Sequence, residues 1–386
     1  MKKFFFAITI LCIFTGSFSV FANTTIAPPV VVDVRSLSLG GFHYCDYDTP
    51  YVLLTNPAGM AAAEKKVLLP SLTMDFGGPV SVIPTLATTF IESGDVMQTL
   101  LDELFSTMSM SNGVYIDLDM SLPLTFARIN NNSGFGLFNR VYMQSNIPSI
   151  SKTDLLAGGE IQFAFGSSVP VINTKHQLLS LGVTSKVFAR LEAGGTGNPS
   201  SIMNMDFAAM DTKGTAAIGV DVGIFYRLFN FLSVSAVWHD ANAGIIGDLG
   251  QIDDISFTPE KNKYRFALNK GTLGLGVSVS IPTWLSLGLL SSWTVYADVK
   301  DVMAFIHPSE DIVTASPFLS LSAGMEMVVF NTISLRVGLN GPYLAAGAGI
   351  DLSAFHMEFA IFGQELGIDA GSIPQLHGAF GITFRY

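Results

Sequence analysis

The sequence is short of charge. Asp, Glu, Lys and Arg make up 13% of its 386 residues, against about 25% in an ordinary soluble domain. It is also 49% hydrophobic, with a mean hydropathy of +0.46. Apolar content this high excludes disorder, and so little charge cannot wrap a soluble surface. Missing as well are the blocks of about 20 apolar residues that helical membrane spans require. A membrane composition without helical runs leaves the strand as the spanning element. Cysteine is scarce, at two residues. Cys12 falls in an N-terminal leader, so the mature chain keeps only Cys45, with no intramolecular disulfide and no cysteine-based zinc site. Basic residues number 20 against 31 acidic ones, a net charge of −11, which argues against nucleic acid as a partner.

The leader reads as a secretory signal peptide over residues 1–22. Lys2 and Lys3 precede an apolar stretch from Phe4 to Phe14, and Val20-Phe21-Ala22 offers a small residue before the cut. Losing the two lysines takes the net charge to −13.

From about Lys66 onward the recurring unit is an alternating stretch of roughly ten residues. Ile218, Val220, Val222, Ile224 and Tyr226 fall on one face of such a strand. Gly219, Asp221, Gly223, Phe225 and Arg227 fall on the other. After a turn at Leu228-Phe229-Asn230, Leu232, Val234, Ala236 and Trp238 alternate with Ser233, Ser235 and His239. The uncharged stretch Gly271 to Ala297 is the best rival for a helix. Its leucines and valines at 273–279 instead alternate with glycine and serine, and Pro282 breaks it into a hairpin, with Trp284, Trp293 and Tyr296 near the strand ends as interfacial aromatics. Similar alternation marks 114–125, 179–190 and 355–361, with charges confined to one face. A charge on the lipid face would cost roughly 2–4 kcal/mol at mid-bilayer. Phe380, Ile382, Phe384 and the terminal Tyr386 share a face, the pattern of a C-terminal outer-membrane assembly signal. Stretches near 192–214 and 243–264 are richer in Gly, Asn, Asp and Lys and are expected to be longer external loops. Residues 92–108 are expected to form a short helix capped by Asp95.

No nucleophile elbow, phosphate loop, zinc helix motif or catalytic constellation appears, and no cofactor or metal site is expected. His239 and Asp240 are neighbours, so on a strand they are expected to face opposite ways and to form no pair. His356 and Glu358 share a face, as do Asp117 and Asp119. The candidate lumen polar residues are Lys186, Arg190, Asp221, Arg227 and Arg336. An acidic lumen would disfavour anionic substrates unless the basic members of this set cluster.

Residues 35–60 do not alternate. Gly40-Gly41, Asp46 and Asp48 lead to Asn56-Pro57-Ala58-Gly59-Met60. Pro57 holds Asn56 extended, and the Asn amide can serve neighbouring backbone groups, as a tight buried turn needs. This segment resembles the N-terminal hatch of the FadL-like long-chain fatty acid transporters of outer membranes, and of the related PorV-like and spirochaete barrels. The hatch motif maps to Asn56, Pro57, Ala58 and Gly59, whereas Phe42, Tyr44 and Tyr47 stand where the family often has small residues. The resemblance implies an all-β transmembrane antiparallel barrel of about 14 strands, plugged by residues 23–65 and formed by 66–386. It implies passage of hydrophobic ligands such as long-chain fatty acids, with sideways exit through the wall. It also implies membrane lipid and the outer-membrane assembly machinery as partners, in the outer membrane of a diderm bacterium. The PorV-like relatives imply an alternative, a barrel that assists assembly or secretion without transport.

Overall fold

The computed structural model describes residues 26–78, 114–149, 152–197, 210–255, 263–281, 290–303, 316–352 and 355–385. The signal peptide, the 92–108 helix and Tyr386 lie outside these residues. Among the described residues fifteen strands follow in sequence. The first nine are β1 (Lys66–Gly78), β2 (Val114–Ser121), β3 (Phe126–Asn130), β4 (Ser133–Ser149), β5 (Lys152–Asn173), β6 (Gln177–Gly197), β7 (Asp211–Leu228), β8 (Leu232–Gln251) and β9 (Tyr264–Ser280). The shorter remainder are β10 (Leu290–Val299), β11 (Leu321–Val329), β12 (Ile333–Asn340), β13 (Tyr343–Leu352), β14 (Phe355–Glu365) and β15 (Pro374–Arg385).

Each strand pairs antiparallel with its neighbours, and β1 pairs with β15 from Leu68↔Arg385 to Gly78↔Leu376. The sheet therefore closes and leaves no edge, as a bilayer requires. β2 and β3 both lie between β1 and β4, one above the other, so fifteen strands make fourteen staves.

Period-two burial bears out the strand reading. Ile218, Val222 and Ile224 are exposed on β7, while Gly219, Asp221, Gly223 and Phe225 are buried. The exposed set is apolar and faces lipid; the buried set is small or polar and faces inward. Phe380 and Phe384 are likewise exposed on β15. Short turns join β7 to β8 and β11 to β12. Phe229-Asn230 and Phe330-Asn331 both take left-handed backbone there, the geometry whose twist matches a hairpin.

Three expectations need correction. The stretches 192–197, 211–214 and 243–251 are strand, not loop, because β6, β7 and β8 run on past the apolar band. Tyr296 is buried and stacks on His43, so it is an inward residue and not part of an interfacial girdle. His239 and Asp240 do pair, with His239 Nδ1 2.8 Å from Asp240 Oδ2. Asp240 takes a left-handed backbone (φ 60°) at a register shift between β7 and β8, and this bulge breaks the alternation.

Residues 26–65 carry two short helices, α1 (Val34–Ser38) and α2 (Val52–Thr55), and a 3-10 turn at Pro57–Ala61. They pack against inward residues of strands on opposite sides of the ring, from β5–β7 to β12–β15.

Candidate functional site

The Asn-Pro-Ala turn explains why β6 and β7 carry glycine on their inner face. A Cβ at Gly182 would come within 2.3 Å of the Pro57 carbonyl carbon and the Ala58 nitrogen. One at Gly223 would come 2.1 Å from Asn56 Oδ1. Gly182 and Gly223 are cross-strand partners, so together they form a seat without side chains. Fully buried Asn56 works in both directions: its Oδ1 accepts from Ala58 N at 3.0 Å, and its Nδ2 donates to Tyr44 O at 3.0 Å. The wall adds Ser180 Oγ donating to Ala58 O (2.7 Å) and Thr184 Oγ1 donating to Leu53 O (2.8 Å). On the far wall Gly338 lies under Leu39 and Gly40 in the same way.

A chain of charges ties α1 to β11, β12 and β14. Arg35 bonds Asp46 and holds Glu326 through Nε (3.0 Å) and Nη2 (2.6 Å). Arg336 reaches the same Glu326 at 2.6 Å and pairs with Glu358 at 3.0 Å, and Glu358 receives His356 at 2.7 Å. Burial works against the Arg35 charge, but Asp46 and Glu326 outweigh it and hold the guanidinium above its ordinary value. Asp33 caps α1 by accepting from Ser36 N at 3.1 Å. Burial, with Glu358 nearby, pushes its carboxyl up to about 6.

The next residues dock on β8–β10. Tyr44 N donates to Asp298 Oδ1 at 2.9 Å, while His43 Nδ1 faces Asp298 Oδ2. The Tyr44 hydroxyl meets His239 Nε2 at 2.8 Å, and burial followed by Asp298 and Asp240 raises its pKa well above the ordinary range. Cys45 is buried and donates to Ser235 Oγ at 3.2 Å, and burial pushes its thiol up to about 12. Nearer the N-terminus, Glu160 on β5 accepts from Val30 N (2.7 Å) and from Arg190 of β6 (2.6 Å), which also donates to Pro28 O at 3.1 Å.

The candidate basic residues do not cluster. Lys186 pairs with Asp221 (2.9 Å) and Asp240 (2.6 Å), Arg190 with Glu160, and Arg336 with Glu326 and Glu358. Arg227 lies over the Tyr47 ring at 5.3 Å. Asp119 is held by Arg140 at 2.6 and 2.8 Å, and Asp75 faces His377 at 3.2 Å. The sequence reading missed Arg35, Glu326 and Asp298. The signal for Arg35 was its presence in a segment expected to be buried, where a charge requires carboxylate partners.

The hydrogen-bond ladder of the wall is interrupted in its second stave, a window in the pairing. The β1 ladder to that stave runs from Lys66 to Leu68 with β3 and resumes at Thr73 with β2, which sets residues 69–72 opposite 122–125. Pro70 and Pro123 fall here and have no N–H to give a ladder. Asn139 of β4 bridges part of it: Oδ1 accepts from Leu122 N (2.8 Å), and Nδ2 donates to Leu122 O (3.1 Å) and Thr125 Oγ1 (3.0 Å). Beside the window lies an apolar cluster. It joins Tyr51, Val52, Leu53 and Met60 of the segment to Leu68, Ala127, Ile129 and Phe138 of the wall. The short-turn end instead holds a polar cavity of about 430 Å³ lined by Arg35, Lys66, Glu326 and Arg336.

A closed barrel with an even number of staves, apolar outside and polar within, is a transmembrane barrel of the bacterial outer-membrane type, which places the chain in the outer membrane of a diderm bacterium. No protein-family model and no curated protein sequence matches the chain. Several solved structures are similar to it in fold. The toluene transporter TodX of Pseudomonas putida aligns over 94% of this chain and 99% of its own, at 12% identity and a TM-score of 0.49. The CymD monoaromatic hydrocarbon channel aligns over 95% and 98%, at 12% identity and 0.44. A FadL homologue of Pseudomonas aeruginosa aligns over 93% and 99%, at 10% identity and 0.42.

Proposed function

We propose that this barrel is a passive outer-membrane channel for hydrophobic molecules, with residues 26–65 as its hatch and the window at 69–72 and 122–125 as its exit. The observation that carries this reading is the apolar cluster lying between the segment and that window. Forcing an apolar solute through water raises its free energy, so a route lined by Leu, Ile, Phe and Met that opens sideways into lipid avoids that cost. Long-chain fatty acids and monoaromatic hydrocarbons are the first compounds to try. Protein in lipid nanodiscs should bind at least one of these classes, and an apolar ligand carrying a photoreactive group should label Leu122 or Leu124. No binding of either class overturns the reading.

A second reading, an assembly or secretion partner without transport, draws on the charge chain through Arg35, which fixes the segment in place. Co-purification of a large partner, together with unchanged uptake of apolar compounds after deletion of the gene, would favour it.

A further inference from the structure

One rung of the outer wall is hollow. Val234, Val277, Ala297, Ala323 and Leu339 are cross-strand partners in a row from β8 to β12. The two alanines stand between larger outward residues on the rungs either side. Val299 and Leu321 pair on the rung toward the loop end, and Val295 and Met325 pair on the rung toward the short turns. The result is a groove of about 550 Å³ on the lipid face, along which Leu275, Val277, Leu321 and Leu339 are exposed. It crosses five staves, about 19 Å at the usual strand spacing, and its floor is one rung wide, about 7 Å. On the other side of the floor, the inward neighbours of the alanines serve the docked segment. Asp298 accepts from Tyr44 N at 2.9 Å, and Gly324 lies under Leu39 O and the His43 ring.

We infer that this groove seats one acyl chain of a membrane lipid, which stays with the barrel while bulk lipid exchanges. The groove is continuous with the exposed apolar band of the wall, so the bilayer is what meets it. Between apolar chains and an apolar wall there is no hydrophobic driving force, and packing decides what stays. A chain laid over a level stave touches the wall on one side. A chain in the groove touches the floor and both rims, and these small contacts add along its whole length. The shape selects the occupant. A long, narrow, apolar floor fits an extended hydrocarbon chain, whereas a single aromatic ring fills only part of it. A second barrel would need about 800 Å² of matched surface per partner, and a floor one rung wide supplies a fraction of that. The inference rests on the outer face of the barrel and not on the channel reading.

The test uses the full chain in vesicles containing phosphatidylglycerol with a diazirine in one acyl chain. Photolabelling is mapped by peptide, and unlabelled phosphatidylglycerol retained after gentle detergent extraction is counted by native mass spectrometry. Label should concentrate at least about fivefold on residues 295–299 and 321–325 over the lipid face of β7, the margin of a modest packing preference. One phospholipid should remain on the extracted barrel. Ala297→Phe with Ala323→Phe fills the floor with side chains that the lipid face carries elsewhere, and both signals should fall to the level of bulk lipid. Ala348→Phe, on the outer face of β13 and away from the groove, should leave both unchanged. Even labelling of the whole lipid face overturns the inference, as does unchanged retention by the filled variant. Extraction as a dimer free of lipid assigns the groove to a second copy and also overturns it. The wild-type labelling pattern decides the matter even where the filled variant does not assemble.

Discussion

Asn56 Oδ1 occupies the space above Gly223 that a side chain there would need. The glycine and the asparagine are thus halves of one fitting, on a strand and on the segment it holds. Substituting Val for Gly223 should displace the Asn-Pro-Ala turn, since a Cβ at 2.1 Å forces aside the Asn56 carboxamide that holds it. The expected outcome is a folded barrel with raised single-channel conductance in planar bilayers and faster protease cleavage within residues 26–65. Gly378, where a Cβ would meet nothing within 4 Å, is the control and should accept alanine silently.

Asn56→Ala removes the acceptor for Ala58 N and the donor to Tyr44 O. Both partners are left buried, at about 1–3 kcal/mol each. The docked segment should lose protection in hydrogen exchange at Tyr44–Ala58, while the β6–β7 ladder keeps its own.

Glu326 joins Arg35 of the segment to Arg336 of the wall. Replacing it with alanine leaves Arg35 with Asp46 alone and Arg336 with Glu358 alone, a loss of up to about 3 kcal/mol. Chemical denaturation monitored at Tyr296, which stacks on His43, should show the segment releasing at lower denaturant than the barrel.

Asp33 gives docking a pH dependence of definite sign. Its carboxyl titrates near 6 when docked and near 3.8 when free. A raised acid contributes its stability below the free value and loses it as pH rises through the docked value. Docking should therefore tighten between pH 7 and pH 4.5 by about 2 kcal/mol, given a shift of about two units. Protease protection of residues 26–65 across that range measures it, and Asp33→Asn, which keeps a capping oxygen, should flatten the dependence.

The barrel was legible because lipid imposes period two on every stave. Ile218 to Arg227 could be assigned face by face without a partner in view. Asn56-Pro57-Ala58 was legible as a turn because proline constrains its neighbour locally. The wall glycines were visible but not their purpose, since which turn rests on Gly182 depends on contacts more than a hundred residues apart. His239 and Asp240 were misread because a bulge resets the alternation that the reading relied on. The conclusion that the lumen bases stand apart, Lys186, Arg190 and Arg336 on carboxylates and Arg227 on the Tyr47 ring, required the ring order of β5 to β14.

β1 begins at Lys66, directly after the segment, and its pairing with β15 completes the ring. Contacts as far apart as Thr184 to Leu53 and Glu326 to Arg35 cannot be made through a finished wall. Residues 26–65 touch staves on opposite sides of the ring, so their docking ahead of the seam would gather those staves. Docked first, they would serve as a mandrel around which the sheet is rolled, and damage to them would be expected to slow seam closure during insertion.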